Sequence, residues 1–295
     1  MSEFDIPFKS DLVPQSLELG TTLKFSCHPG VSCFNECCKH ADIILTPYDI
    51  IRLKDHLGIT STEFLKKYTV PYQVDGDGVP GVKFRTTNEG ACLLVTDEGC
   101  SVYKNRPTAC RYYPVGHMAM KAKDATTEET RYFMIQEDHC KGHLEDKEQT
   151  IQEFLNEQGV ADFDNLNKEW LHLMLKKKSA GPTVGTPPES SLQLFFMASY
   201  DMDRFRRFVL SPAFKNSYDL PDSAYEVLAK EDIALMKFGT KLLKQVLFGE
   251  KTIPEKDKAW ETRLETREDI WNMRKEVELA RREKAEDDKY HDGEP

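Results

Sequence analysis

FSCHPGVSCFNECC, residues 25–38, puts Cys27, Cys33, Cys37 and Cys38 within twelve positions. Cys92, Cys100, Cys110 and Cys140 follow, so all eight cysteines of this 295-residue chain lie before residue 141. Cysteines that merely fill a core would be scattered through both halves. Their confinement implies that the first half is built around sulfur.

The chain is acidic, with 50 Asp and Glu against 40 Lys and Arg and a formal net charge of −10. That argues against a bulk electrostatic grip on nucleic acid and leaves open a local basic patch. No run of about 18 apolar residues is present, so no membrane helix is expected. The first fifteen residues, MSEFDIPFKSDLVPQ, carry acids and lack the apolar segment of a secretory leader. The expected compartment is the cytoplasm, where thiols stay reduced. Under those conditions eight cysteines point to metal ligation over four disulfides, and the vicinal pair Cys37-Cys38 suits a disulfide framework poorly.

Local patterns place these cysteines. Thr21 to Ser26 alternates β-formers with polar residues and is expected to be a strand delivering Cys27. His28 to Glu36 contains Pro29, Gly30 and Asn35, the composition of an irregular loop. Thr46-Pro47-Tyr48-Asp49 is a helix start, with Thr46 as cap and Pro47 in the first turn, and Gly58 ends that helix. Thr60 or Ser61 caps a second helix through Phe64 and Tyr68. Val74 to Gly81 is expected to be a turn. Val82–Thr87 and Ala91–Thr96 are expected to form a hairpin through Asn88-Glu89-Gly90, with Cys92 on its second strand. Gly99-Cys100 is a tight turn. Pro107 opens a helical turn carrying Cys110, and Arg131 to Gln136 is a strand. Beyond residue 145 apolar residues recur at three- and four-residue spacing, which predicts helices over 147–158, 164–178, 190–210 and 256–290 and a helix or pair of helices over 222–249.

Thiolates select Zn²⁺, Cu(I) or an iron–sulfur cluster over hard cations. Eight exceed one zinc site. They suffice for two Cys₄ zinc sites, for two clusters, or for one metal site plus redox-active thiols. The spacings x₅, x₃, x₀, then x₇, x₉, x₂₉ match neither a zinc ribbon nor the ferredoxin run. No Rossmann-type glycine loop and no radical-enzyme C-x₃-C-x₂-C run is present.

Several stretches together resemble the cysteine-cluster (CxxCxxCC) family of zinc- or iron-chelating domains. They are Cys27-x₅-Cys33-x₃-Cys37-Cys38, LTPYDIIRL (45–53), GACL (90–93), GCSVY (99–103) and RPTACRYYP (106–114). The resemblance covers roughly residues 20 to 145. It departs from the family pattern in the longer spacing between Cys27 and Cys37. All eight cysteines are expected as metal ligands. Some members are associated with flagellin lysine N-methylation, so a metal-dependent protein-modifying enzyme such as a lysine N-methylase is the alternative it implies.

Arg106 and Arg111 flank Cys110. They are expected to offset the charge of a thiolate centre rather than to bind an anionic substrate. Tyr103, Tyr112 and Tyr113 are expected to pack around it. His28, His40, His117, His139 and His143 lie near cysteines in sequence; His139 and His40 lead as candidates to replace one. The aromatic run from Phe195 to Phe208 is expected to be helical core.

The expected architecture is α+β. An N-terminal arm (1–20) precedes a small cysteine-rich metal-binding domain of short antiparallel strands and helices (21–145). A helical domain (146–250) and a charged C-terminal helix and tail (251–295) follow. So small a sheet should bury little core, and a bound metal should then supply roughly 10 kcal/mol or more of folding free energy. The expected function is metal binding, through an iron–sulfur cluster or zinc. The helical half is expected to be available to a protein partner, with no membrane contact.

Overall fold

The computed structural model describes residues 17–74, 78–120, 129–180 and 187–257. The N-terminal arm up to residue 16 and the expected helix over 256–290 beyond its first residues lie outside them.

The protein is α+β. Among the described residues the strands form four separate antiparallel pairs. β1 (Thr22–Lys24) pairs with β8 (Glu148–Thr150), so the two ends of the cysteine-bearing segment are stitched together with Thr22 opposite Thr150. β2 (Thr69–Gln73) pairs with β3 (Pro80–Phe84), β4 (Val95–Thr96) with β5 (Gly99–Cys100), and β6 (Val115–Met120) with β7 (Glu129–Met134). The expected hairpin of 82–87 with 91–96 does not form as two strands. Val82 and Phe84 take their partners from the preceding strand, opposite Pro71 and Thr69, and this buries both apolar side chains. The turn at Thr87 to Ala91 does form, with Gly90 at φ +91°. Of the expected ladder only the single bridge Thr86–Cys92 remains. Cys92 therefore sits at a turn.

Helix caps follow the sequence closely. α2 (Pro47–Leu57) opens on a capping box between Thr46 and Asp49 and ends at Gly58, φ +64°. α3 (Ser61–Tyr68) opens on the same arrangement between Thr60 and Glu63. The segment from 28 to 39 is mostly irregular, as expected, but closes in a one-turn helix, α1 (Glu36–Lys39), that carries Cys37 and Cys38. α4 (Thr108–Tyr112) carries Cys110 behind Pro107.

The second half is helical: α5 (Ile151–Gln158), α6 (Val160–Ala180), α7 (Glu189–Tyr200), α8 (Met202–Val209), α9 (Pro212–Ser217), α10 (Asp222–Lys230) and α11 (Asp232–Phe248). The expected stretch 190–210 is two helices, capped apart at Asp201. Phe195, Tyr200 and Phe205 are buried there as core, and Phe208 is partly exposed.

The core does not stop at residue 145. α2 packs on α6 and α11, α3 on α8, and β3 on α7. Leu45, Ile50, Leu53 and Phe64 are completely buried and belong to one apolar cluster with Leu173, Phe205, Leu235 and Leu242. The expectation of little core in the first part is thus corrected: its helices borrow the apolar faces of the second half. A second, smaller cluster joins Leu23, Phe25, Tyr112 and Val115 to Ile151, Phe154, Leu155 and Val160.

Two polar junctions fix this arrangement. Asp49, fully buried, accepts from Thr46 N at 2.8 Å, Thr108 N at 2.8 Å and Thr108 Oγ1 at 2.7 Å. One carboxylate thereby caps α2 and α4 together, against a burial cost that pushes its pKa up. At the second junction Ser61, at the start of α3, lies between Asp201 and Asp203. Its N–H donates to Asp203 Oδ2 at 2.6 Å, and its hydroxyl is 2.8 Å from both carboxylates. Burial opposes the charge on Asp203, but the Ser61 hydrogen bonds outweigh it and hold the carboxyl below its usual range.

Asp49→Ala is expected to lower stability by about 3 kcal/mol in urea titration, the sum of a lost cap and unpaired buried donors. Asp203 has a depressed folded pKa. Its contribution is therefore present above the ordinary carboxylate range and lost as pH falls through the depressed value. Ser61→Ala should lower Tm at neutral pH and flatten the acid limb of a Tm-against-pH curve.

Candidate metal centre

The eight cysteines line one cavity of about 720 Å³. It lies on the seam between the two cores, walled by Phe84, Leu94 and Val102 from the larger and by Phe25, Val115 and Phe154 from the smaller. All eight are free thiols; Cys27 and Cys37 are exposed and the others half-buried. Each comes from a turn, a loop or a single helical turn, or from a two-residue strand in the case of Cys100. Regular periodicity cannot aim closely spaced sulfurs at one place, and these irregular segments can.

Backbone contacts hold the segments. Cys92 N donates to the Cys38 carbonyl at 2.7 Å, and Asn35 Nδ2 reaches the Thr96 carbonyl at 3.4 Å. Ser26 N donates to the Gly142 carbonyl at 3.1 Å. A Cβ on Gly142 would lie 2.8 Å from the Ser26 carbonyl oxygen, so only glycine allows these two loops to approach.

The sulfurs meet N–H donors. Lys141 N lies 3.0 Å from Cys33 Sγ. The backbone at Leu94 and Val95 lowers the Cys92 thiol against burial, and that at Val102 lowers Cys100. Such donors stabilise thiolates. Burial nonetheless dominates at most positions. It pushes Cys27 up to about 11, with Cys37, Cys33 and Cys140 adding to it, and it pushes Cys92, Cys100 and Cys110 upward. Cys37 goes the other way, to about 7, because the Cys38 thiol hydrogen-bonds to it; Cys38 is raised by the same contact. Among the described residues no three Cys, His, Asp or Glu side chains stand close enough to hold a single metal ion. The thiols are spread over the cavity wall.

The donor chemistry fits a thiophilic group. Two polar atoms on the same wall add to the fit. Tyr113 Oη is buried without a well-aligned hydrogen bond. Burial, then the neighbouring Cys140 thiol and Glu137 carboxylate, pushes its pKa up. His139 Nε2 is likewise buried without a hydrogen bond, 3.5 Å from Glu137 Oε2.

Of the five histidines read near cysteines, His40, His117 and His139 line the cavity. His28 instead pairs with Glu145 at 3.1 Å, and His143 lies 3.1 Å from the Ile135 carbonyl and packs on Phe25. Tyr112 donates to Asp164 at 2.6 Å and packs against His117; Tyr103 is largely exposed. Glu137 and Gln158 were not legible as site residues. Glu137 is brought in by the β6–β7 pair, whose first strand has no clear sequence signal, and Gln158 ends α5.

Both arginines are spent on the scaffold. Arg111 donates to the carbonyls of Arg106 at 3.0 Å, Gln158 at 2.7 Å and Lys104 at 2.5 Å, with its guanidinium 4.2 Å from the Phe163 ring centre. Arg106 donates to the Tyr103 carbonyl at 2.8 Å and to Gln158 Oε1. Neither hydrogen-bonds a thiol. Arg106 still acts through space, lowering Cys27 and Cys100 against the effect of burial.

Residues 26–141 match the model of the CxxCxxCC family, described as a "putative zinc- or iron-chelating domain". This is the resemblance read from the motifs, over nearly the same span. No curated protein and no solved structure matched the chain. Among the described residues no helix is long and apolar enough to cross a membrane.

Arg111→Ala would leave three inward carbonyls unpaired beside the turn that carries Cys110. The expected loss is about 3 kcal/mol by urea denaturation, with Arg111→Lys recovering only part of it because an ammonium cannot reproduce the fork.

Proposed function

We propose that the CxxCxxCC segment, residues 26–141, binds metal in the cavity through its thiolates, and that the group held is an iron–sulfur cluster. The observation that carries this reading is a single cavity lined by all eight thiols, twice the number that one tetrahedral zinc uses. A lone zinc ion, with sulfurs about 2.3 Å away, needs those sulfurs within about 4 Å of one another. A cluster brings its own inorganic sulfide and spans a wider opening. A cluster held there would supply one-electron redox chemistry; zinc would supply a structural cross-link. The chain's own contribution is to present the Lys141 amide to Cys33, to set Arg106 where its charge lowers Cys27 and Cys100, and to line the rest of the site with apolar side chains from both cores.

The test is iron, zinc and acid-labile sulfide measured on protein purified without oxygen, with alkylation mapping of the thiols before and after metal removal. The expected result is a coloured protein with near-equal iron and sulfide, whose thiols are protected until the metal is stripped. Stoichiometric zinc without sulfide would replace the cluster with a structural site. A protein that holds neither metal, and whose eight thiols react at once, would overturn the reading. Because the helices share one large apolar cluster, metal removal should leave helical circular dichroism largely intact.

A further inference from the structure

We infer that the cavity is an exchange site: it passes its metal group to an incoming thiol, and the exchange starts at Cys27 and Cys37. The inference rests on the metal-binding reading above and adds what becomes of the group once it is bound.

The two cysteine-bearing stretches are anchored unequally. Phe25 is buried in the smaller core and Leu45 in the larger. Between them run Cys27, Cys33, Cys37 and Cys38, and over that whole stretch only Val31 is buried. The one-turn helix α1, which carries Cys37 and Cys38, has no buried residue and no side-chain hydrogen bond at its start. The stretch is tied down mainly at the backbone, by Ser26 to Gly142 at one end and by Cys38 to Cys92 at the other, with the exposed His28–Glu145 pair near the first. The stretch 92–112 differs. There Leu94, Val102, Arg106, Arg111 and Tyr112 are buried, and Asp49 and the Arg111 fork hold the turn that carries Cys110. The thiols follow this division: Cys27 and Cys37 are exposed, whereas Cys92, Cys100 and Cys110 are half-buried.

A site built to retain its metal encloses it with protein ligands and leaves no way in. Here two of the lining thiols face solvent, on the stretch with the fewest buried side chains, which is where local opening costs least. A thiolate is both the metal ligand and the nucleophile. An incoming thiol therefore gives up its proton and bonds to the metal as the bond to Cys37 breaks, and the freed Cys37 thiolate takes up a proton. No electron moves. The same substitution follows at Cys27, and Cys92, Cys100 and Cys110 release the group last.

The test uses the loaded, anaerobically purified full chain with one of two acceptors, reduced glutathione or a metal-free, isotope-labelled copy of the same chain. Native mass spectrometry follows the metal left on the unlabelled chain. A tenfold rise in acceptor is expected to speed its loss about tenfold, because the attacking thiolate takes part in the step. A response to glutathione alone assigns the exchange to small thiols, and a response to the labelled copy alone assigns it to protein thiols. A rate that ignores both acceptors overturns the inference. Aliquots quenched with excess iodoacetamide during the transfer are expected to show Cys27 and Cys37 alkylated before Cys92, Cys100 and Cys110. Alkylation in the reverse order, or of all five together, also overturns it. A chain that carries no metal after purification would instead overturn the metal-binding reading on which the exchange depends.

Discussion

The carboxylate of Asp49 is the contact on which the geometry of this protein turns. It is completely buried, with three hydrogen bonds that join the start of the long helix after the first cysteine group to the start of the short helix carrying Cys110. It adds a buried fixed point between two cysteine groups that 53 residues separate from Cys38 to Cys92, beside the direct backbone bond from Cys92 N to the Cys38 carbonyl. Arg111 works in the same way one turn later. It gathers three carbonyls, one of them at the end of α5, so that the helical half closes against the cysteine-bearing turn. An acid and a base that a motif search would set beside the metal as chemistry serve as its scaffold.

That scaffold explains why the cysteines can afford irregular backbone. Loops bury few apolar groups, and a small protein made of them would be marginal. Here the helices α2 and α3 of the first half enter a core completed by α6, α8 and α11. The loops need only bridge between anchored elements, and a few backbone hydrogen bonds with one glycine contact suffice to bring them together.

Where a structural feature is encoded by neighbouring residues, the sequence carried it. Thr46-Pro47-Tyr48-Asp49 announced a capped helix and Gly58 its end, because both signals act within one turn. The crowding of cysteines before residue 141 announced a sulfur-built half, because soft donors have few other uses in such number. What failed was pairing at a distance. Val82–Thr87 reads as a strand, but whether it pairs forwards or backwards depends on which partner buries Val82 and Phe84, and local propensity does not contain that choice. The arginines beside Cys110 were placed correctly near the site, yet their hydrogen bonds go to carbonyls contributed by residues as far away as Gln158. Glu137 was hidden for the same reason, since the β6–β7 pair that brings it in has a weak pattern in its first strand.

The cavity sits on the seam between two apolar bodies, with thiols contributed from both sides. A metal group held by thiols from both sides, as proposed, would be bonded to each body at once, and its occupancy would become a term in their mutual equilibrium. By mass action, every tenfold rise in free ligand above its dissociation constant deepens the joined arrangement by about 1.4 kcal/mol. On the proposed reading, metal supply would set how firmly the two apolar bodies hold together.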